Sequence, residues 1–252
     1  MKLSELIHHF PGRVRLRSGS ADTVISAIEY DSRKARTGSL FVAVKGLDSD
    51  AHAYIEKAVS AGASAVVVDR GWSGQSSVPV IEADNSREAL SYLSAAFWGF
   101  PSRKISVVGI TGTNGKTSTT YMLESIFRAA GLKPGVIGTV NYRWNSTVID
   151  APNTTPESAD LQSIFGRMVS EGVNAVAMEV SSHGLSLGRA DDISFDGGVF
   201  TNLTRDHLDY HKTFEDYFAA KKKLFALVEG SGKAKRFAAI NADDPYGVEL
   251  LS

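Results

Sequence analysis

Residues 104–120 read KISVVGITGTNGKTSTT. The apolar run that ends at Ile110 reads as a strand buried on both faces, as in a parallel sheet. A glycine turn follows, and a helix is expected from Thr117 to Ala130, ended by Gly131. Strand, glycine turn, Lys-Thr and helix form the logic of a phosphate cradle. Gly112 and Gly115 let backbone N–H groups approach phosphates, Lys116 reaches the outer phosphates, and Thr117 offers a hydroxyl to Mg²⁺. The strict spacing G-x-x-x-x-G-K-[ST] is not met, because Ile110 stands at the first glycine position and Gly109 comes one place early. The order T-G-T-N-G-K-T is a tighter variant. A plain strand-to-helix turn with an exposed lysine is the bland alternative, and it does not explain why loop and flanking elements agree.

Working outward, strands and helices alternate on both sides of this turn. Before it, SLFVAVKG, SAVVVDR and VPVIEA read as strands, and AYIEKAVSAGA and SREALSYLSAAFWGF as helices. After it, GVIGTV, NAVAMEV, FDGGVFTNL and RFAAINA read as strands, and ESADLQSIFGRMVSEG and FEDYFAAKKKLFALV as helices. This order argues for an α/β fold with largely parallel sheets. The Pro-Ser step in WGFPSRK (98–104) marks a boundary between a small α/β domain, residues 1–100, and a phosphate-loop domain, residues 101–252. The last stretch, INADDPYGVELLS, starts a new helix, which fits either a short terminal helix or a domain continued elsewhere.

Strands that follow a phosphate loop deliver side chains from their carboxyl ends. NAVAMEVSSHGL ends in Glu179, Ser181, Ser182 and His183. A carboxylate closing an apolar strand is costly to bury unless it meets a cation, and Mg²⁺ shared with Thr117 would serve; the alternative is a solvated strand-end glutamate. TNLTRDHLDYH packs Asp206, His207, Asp209 and His211 together, with no spacing diagnostic of zinc, so metal binding and helix capping both stay open. AAKKKLF looks like a solvated basic patch, yet three successive lysines cannot face one way on a helix, and small Ala219 and Ala220 leave Lys221 room to turn inward. In APNTTPES, Thr155 and Pro156 read as an N-cap and first helical residue, or as part of a ligand loop. Asp31, Ser32 and Arg33 read as a turn with a local hydrogen bond.

Taken in order, DSRKARTGSLFVAVKG, GITGTNGKTST, NTTP, MEVSSHGL, TNLTRDHLDYH and YFAAKKKLF resemble the Mur ligases of peptidoglycan synthesis. The phosphate loop is shared with folylpolyglutamate synthases, and the DSR stretch with other Mur ligases. NTTP, EVSSHGL and HLDYH…AAK point to the branch that adds the third peptide residue. The resemblance implies an ATP-dependent ligase that adds meso-diaminopimelate or L-lysine to UDP-N-acetylmuramoyl-L-Ala-D-Glu through an acyl phosphate. A related ligase, or a nucleotide- or UDP-sugar-binding module without turnover, is the alternative. It implies that Gly112, Thr113, Asn114, Gly115, Lys116, Thr117 and Ser118 bind ATP, and that Glu179 and Thr117 hold one Mg²⁺. It implies His207 as a ligand of a second, and Lys221 as a carbamylated lysine that helps bind it. Ser32, Asn153, Thr154, Thr155, Ser181 and Arg189 match positions that contact the UDP-sugar dipeptide. Two departures are Ala51 where the family commonly has Gly, and Leu187 where some members have Gln. Family chains of this branch run to roughly twice this length, so a truncated central domain and a missing C-terminal domain, which binds the incoming amino acid, are expected. The isolated chain is then expected not to ligate.

Composition sets outer bounds. The chain has 252 residues, 43% hydrophobic and 22% charged, enough for a packed core. A net charge of −1 gives no reason to expect a nucleic-acid or membrane partner. The start, MKLSELIHHFPGR, is too polar to read as a secretory signal. Cysteine is absent, which removes disulfides and thiol catalysis and fits a cytoplasmic protein. A monomer is expected.

Overall fold

The structure, a computed structural model, describes residues 1–46, 49–206 and 208–251, with nothing said of the side chains of Leu208 and Asp209. It divides into two compact units, Met1–Gly99 and Phe100–Ser252.

The first unit runs α1 (Leu3–His8), β1 (Val14–Ser18), β2 (Ala27–Glu29), β3 (Ser39–Val42), α2 (Ile55–Ser60), β4 (Ala65–Asp69), β5 (Val80–Ala83) and α3 (Ser86–Phe97). Its sheet has the order β1-β5-β4-β3-β2 and is parallel except for β1, which pairs antiparallel with β5. β3 and β4 are apolar along almost their whole length because both faces are covered. The core forms between them and α2, from Phe41, Ile55, Ala58, Val66 and Val68. α3 starts at Asn85, whose side-chain oxygen accepts the N–H groups of Arg87 and Glu88. The first two strands and α1 were not legible as elements. β1 buries only Val14 and carries two arginines, and β2 has three residues. What holds β1 in place is a cross-strand pair: Arg15 lies opposite Glu82 and meets its carboxylate at 2.7 Å.

The second unit runs β6 (Ser106–Thr111), α4 (Lys116–Ala129), β7 (Pro134–Ile137), β8 (Asn141–Trp144), β9 (Thr147–Asp150), α5 (Ser158–Ser170) and β10 (Ala175–Glu179). It continues with α6 (Ser182–Ser186), β11 (Gly197–Phe200), α7 (Leu208–His211), α8 (Phe214–Glu229), β12 (Phe237–Ile240) and α9 (Pro245–Leu251). The sheet order is β12-β11-β6-β10-β7-β8-β9, with β8 and β9 as an antiparallel hairpin on one edge of an otherwise parallel sheet. β6 lies between β10 and β11, so the carboxyl ends of all three open on the glycine turn. A core of Val107, Ile137, Phe165, Met178, Phe195 and Leu224 packs the helices onto this sheet.

Two local readings need correction. The helix after NTTP is capped by Glu157, whose Oε1 accepts the Ser158 N–H, and not by the Thr155–Pro156 pair. Thr155 is unavailable for capping because its side chain is turned the other way, onto β10, and is 1% exposed. The strand expected over GVIGTV stops at Ile137, and the chain turns there into the hairpin.

Candidate active site

The phosphate loop is clasped from the side by the segment that follows β11. The N–H of Thr113 donates to the Asn202 carbonyl at 2.9 Å. The Asn114 N–H donates to Asn202 Oδ1 at 3.0 Å, and Thr201 Oγ1 donates to the Asn114 carbonyl at 2.7 Å. Gly112 sits at φ 145°, and a Cβ there would lie 1.9 Å from Thr201 Oγ1, so only glycine allows this close approach. Gly115, at φ 85°, caps α4 with no side-chain hydrogen bond. The first N–H groups of α4 therefore point into the loop with the positive end of the helix dipole behind them. Lys116 curls back over this loop and donates to the carbonyls of Gly112 and Thr113, both at 2.9 Å. Burial pulls its pKa below the ordinary lysine value, against the pull of Glu179 and Asp206.

Glu179 closes β10 and is 1% exposed. Its hydrogen bonds come from neutral donors: Thr117 Oγ1 at 3.0 Å, the Thr139 N–H at 3.1 Å and Thr139 Oγ1 at 3.0 Å. A buried carboxylate is stabilised by such donors, but among the described residues no ion-pair partner is in direct contact with it. Thr117 and Glu179 offer adjacent hard oxygens, the donor set that Mg²⁺ selects. Among the described residues no group of three or more His, Asp and Glu side chains could hold a metal by itself.

The segment after β9 folds against the end of β10, at the backbone carbonyl of Glu179, and against Thr139. Thr155 Oγ1 donates to the Glu179 carbonyl at 3.1 Å, and the Ser181 N–H donates to Thr155 Oγ1 at 3.0 Å. Thr154 Oγ1 lies 3.0 Å from Thr139 Oγ1, and the Tyr142 hydroxyl donates to the Asn153 carbonyl. Ser181 caps α6 by accepting the Gly184 N–H at 3.1 Å. Arg189 donates to the Thr155 carbonyl at 3.1 Å and pairs with Glu157 at 3.4 Å.

Lys221 is 1% exposed on α8. Tyr217, Lys221, Leu224 and Val228 fall on one stripe, which is the buried face of that helix, while Lys222 and Lys223 point to solvent. Its Nζ stands 4.3 Å from the centroid of the Tyr217 ring. Burial, and then the charge of Lys116, lower its pKa from 10.5 to about 7, with Asp206 opposing.

Known families match this arrangement. The Mur ligase middle domain matches residues 110–252, and the Mur ligase family catalytic domain matches residues 24–98. The chain belongs to the Mur ligase family. It is 46% identical over 97% of its length to the UDP-N-acetylmuramoyl-L-alanyl-D-glutamate--2,6-diaminopimelate ligase of Bacillus licheniformis, of which it covers 50%. It is 48% identical over 93% of its length to the ligase of the same name from Geobacter metallireducens, covering 46% of that protein. This Mur ligase chain thus spans about half the length of the curated relatives it matches. A solved structure of a UDP-N-acetylmuramoyl-L-alanyl-D-glutamate--2,6-diaminopimelate ligase superposes with a TM-score of 0.80 at 24% identity, over 100% of this chain and 49% of that one. The crystal structure of MurF from Acinetobacter baumannii superposes at 0.67 and 20% identity, over 99% and 50%. Both show the Mur ligase fold.

Of the residues singled out in the sequence, the structure gathers Lys116, Thr117, Glu179, Thr154, Thr155, Ser181 and Arg189 around the carboxyl ends of β6, β7 and β10. Lys221 joins them through Tyr217, whose hydroxyl reaches Thr113 at 3.1 Å. His207 lies outside the described residues. Ser32 belongs to the first unit, where it is 9% exposed and lines a cavity of about 450 Å³ with Tyr30, Arg33, Phe41, Tyr54 and Lys57. Asp31 is held by Arg33, as a local turn requires: Oδ1 accepts the Arg33 N–H at 2.9 Å, and the guanidinium lowers the Asp31 pKa to about 2. Thr139, Thr201, Asn202 and Tyr217 were missed. All four follow strands or lie on the buried stripe of a helix, and the position after a parallel strand is the signal that could have found the first three.

Proposed function

We propose that the chain is the donor- and nucleotide-binding half of a MurE-type ligase, which joins a diamino acid to UDP-N-acetylmuramoyl-L-Ala-D-Glu at the expense of ATP. The observation that carries this reading is the single cluster at the end of β10. There the phosphate-loop hydroxyl of Thr117 meets the buried Glu179 carboxylate, Thr155 bonds the backbone carbonyl of the same residue, and Thr154 reaches the carboxylate through the hydroxyl of Thr139. A phosphoryl donor and a carboxylate acceptor held at one point is what acyl-phosphate formation needs.

In this reading Gly112 to Ser118 wrap the ATP phosphates through backbone N–H groups and the α4 dipole. Lys116 leaves the Gly112 and Thr113 carbonyls to meet the outer phosphates. Thr117 and Glu179 hold Mg²⁺, which supplies neutralisation of phosphate charge. Asn153, Thr154, Thr155, Ser181 and Arg189 orient the dipeptide so that a carboxylate oxygen of D-Glu faces the γ-phosphorus. Phosphoryl transfer to that oxygen releases ADP; attack by the amine of the diamino acid on the acyl carbon then expels phosphate and leaves an amide. No side chain of the protein is needed as nucleophile, since positioning and charge neutralisation carry the step. With its pKa lowered to about 7, the buried Lys221 amine is shared between charged and neutral forms near pH 7, and the neutral form can bond to CO₂ and lose a proton to become a carbamate. By resemblance alone, His207 is a ligand of a second Mg²⁺. The first-unit cavity has aromatic walls that suit a base, and Lys57 in its lining, where Arg33 is already paired with Asp31, is the cation that would meet a diphosphate, which supports a UDP moiety there. The whole acts in the cytoplasm as a monomer, without nucleic-acid or membrane partners; among the described residues no helix is long and apolar enough to cross a membrane.

Calorimetric titration with UDP-N-acetylmuramoyl-L-Ala-D-Glu tests this reading, with circular dichroism reporting the fold. Binding is expected, and removing the hydroxyls of Thr154 and Thr155 (T154A, T155A) is expected to weaken it about tenfold, as for two lost hydrogen bonds. A folded chain that binds nucleotide but ignores this compound would assign the site to a different carboxylate.

A further inference from the structure

Tyr217 is a tyrosine where packing alone asks for a phenylalanine. It is 0% exposed on α8, one turn before Lys221, and its ring sits in a cluster with Phe200, Leu203 and Phe218. The ring also packs 5.0 Å from that of His211 and lies under the Lys221 amine at 4.3 Å. A hydroxyl placed at this depth needs a partner, and it has one that is 104 residues away in sequence: Thr113 Oγ1 at 3.1 Å. Thr113 is in turn fixed at its other contacts. Its Oγ1 accepts the Thr204 N–H at 3.0 Å and lies 3.3 Å from the Thr204 carbonyl, and its own N–H goes to Asn202. If Tyr217 donates to Thr113, the Thr113 proton is left for the Thr204 carbonyl, and every group in the chain of contacts is used.

We propose that Tyr217 is a positioning residue for the phosphate loop: its hydroxyl sets Thr113, and through it the backbone turn that receives phosphate, while its ring backs Lys221. The proposal rests on the ligase reading above, because Thr113 and Lys221 have a task only within it. It makes Tyr217 a hydrogen-bonded link between the phosphate loop and α8. Because ring and hydroxyl act on different neighbours, they can be separated by substitution. Tyr217→Phe keeps the ring under Lys221 and against His211, and removes the hydroxyl that meets Thr113.

The test is a double-mutant cycle on the whole chain, read as Mg²⁺·ATP affinity by calorimetry, with a melting curve for each variant. Tyr217→Phe is expected to weaken binding about threefold to tenfold, as for one lost hydrogen bond, with the melting transition kept. Thr113→Val is expected to weaken it at least as much. In the Thr113→Val background, Tyr217→Phe is expected to cost nothing more, since the partner is already gone. A purely structural tyrosine would lower stability equally in both backgrounds and leave affinity unchanged. Wild-type affinity in Tyr217→Phe, or the same loss in both backgrounds, overturns the proposal. Failure of the wild-type chain to bind Mg²⁺·ATP would overturn the ligase reading itself and this proposal with it.

Discussion

Lys221 shows how a side chain can be costly to the fold while, in the proposed reading, serving the site. It occupies a position on α8 that Leu or Met would fill at no electrostatic cost, and a buried ammonium is disfavoured by loss of hydration. The sign of the pH effect follows. Its pKa is about 7 folded and near 10.5 unfolded, so between these values the unfolded chain holds a proton that the folded chain has lost. Stability contributed at this position therefore rises with pH across that window and is lowest below about 7. Lys221→Met is expected to be more stable than wild type at pH 6, by an amount on the order of a few kcal/mol, with the gap closing as the pH approaches 9.5. Melting temperatures of both chains across that range check this, and a gap that stays constant with pH would show that Lys221 is not buried as a neutral amine. Glu179 is a second example: its burial was predictable in principle from its place at the end of an apolar strand, but its partner Thr139 was not, because that contact is made across 40 residues.

At the scale of elements, the site depends on how α4 and the β8–β9 hairpin are tied together. Glu124 on α4 is pinched between Arg128 at 2.8 Å, one turn away, and Arg143 on β8, which also lies over the Tyr121 ring at 4.2 Å. The arginines hold the Glu124 carboxyl below its usual range although burial opposes them. The hairpin leads directly into Asn153, Thr154 and Thr155, so this ion pair steadies the proposed substrate loop from behind. Arg143→Met is expected to cost about 1–3 kcal/mol in urea unfolding, since Glu124 keeps Arg128 but loses its better-buried partner. No change in the midpoint would remove this tie from the account. The hairpin itself was not legible in the sequence. Its turn is Asn145-Ser146, with Asn145 at φ 47°, and lacks the glycine that usually announces such a turn. The parallel strands were legible for the opposite reason: β4, β6 and β10 are nearly unbroken apolar runs bounded by turns. The capping alternative for Thr155 failed because Ser, Thr and Pro before a helix look alike whether they cap it or face a neighbouring strand.

For the molecule as a whole, two compact units, each with its own sheet and core, carry different parts of the proposed task. The glycine turn, Lys-Thr pair and alternation of strands and helices were enough to place the phosphate loop and the α/β class. The contact of Thr117 with the Glu179 carboxylate, and the gathering of Thr154, Thr155 and Ser181 around the same strand end, were not, because they depend on strand order: β10 returns between β6 and β7, and only that insertion puts Glu179 against the phosphate loop. The central claim is that this loop holds ATP. The direct measurement is titration of the whole chain with Mg²⁺·ATP, beside Lys116→Ala, with circular dichroism confirming that both are folded. The account predicts saturable binding by wild type and a loss of at least about tenfold in the variant, as for a removed charge-assisted contact. Equal affinity in both chains, or no binding by the folded wild type, would contradict it.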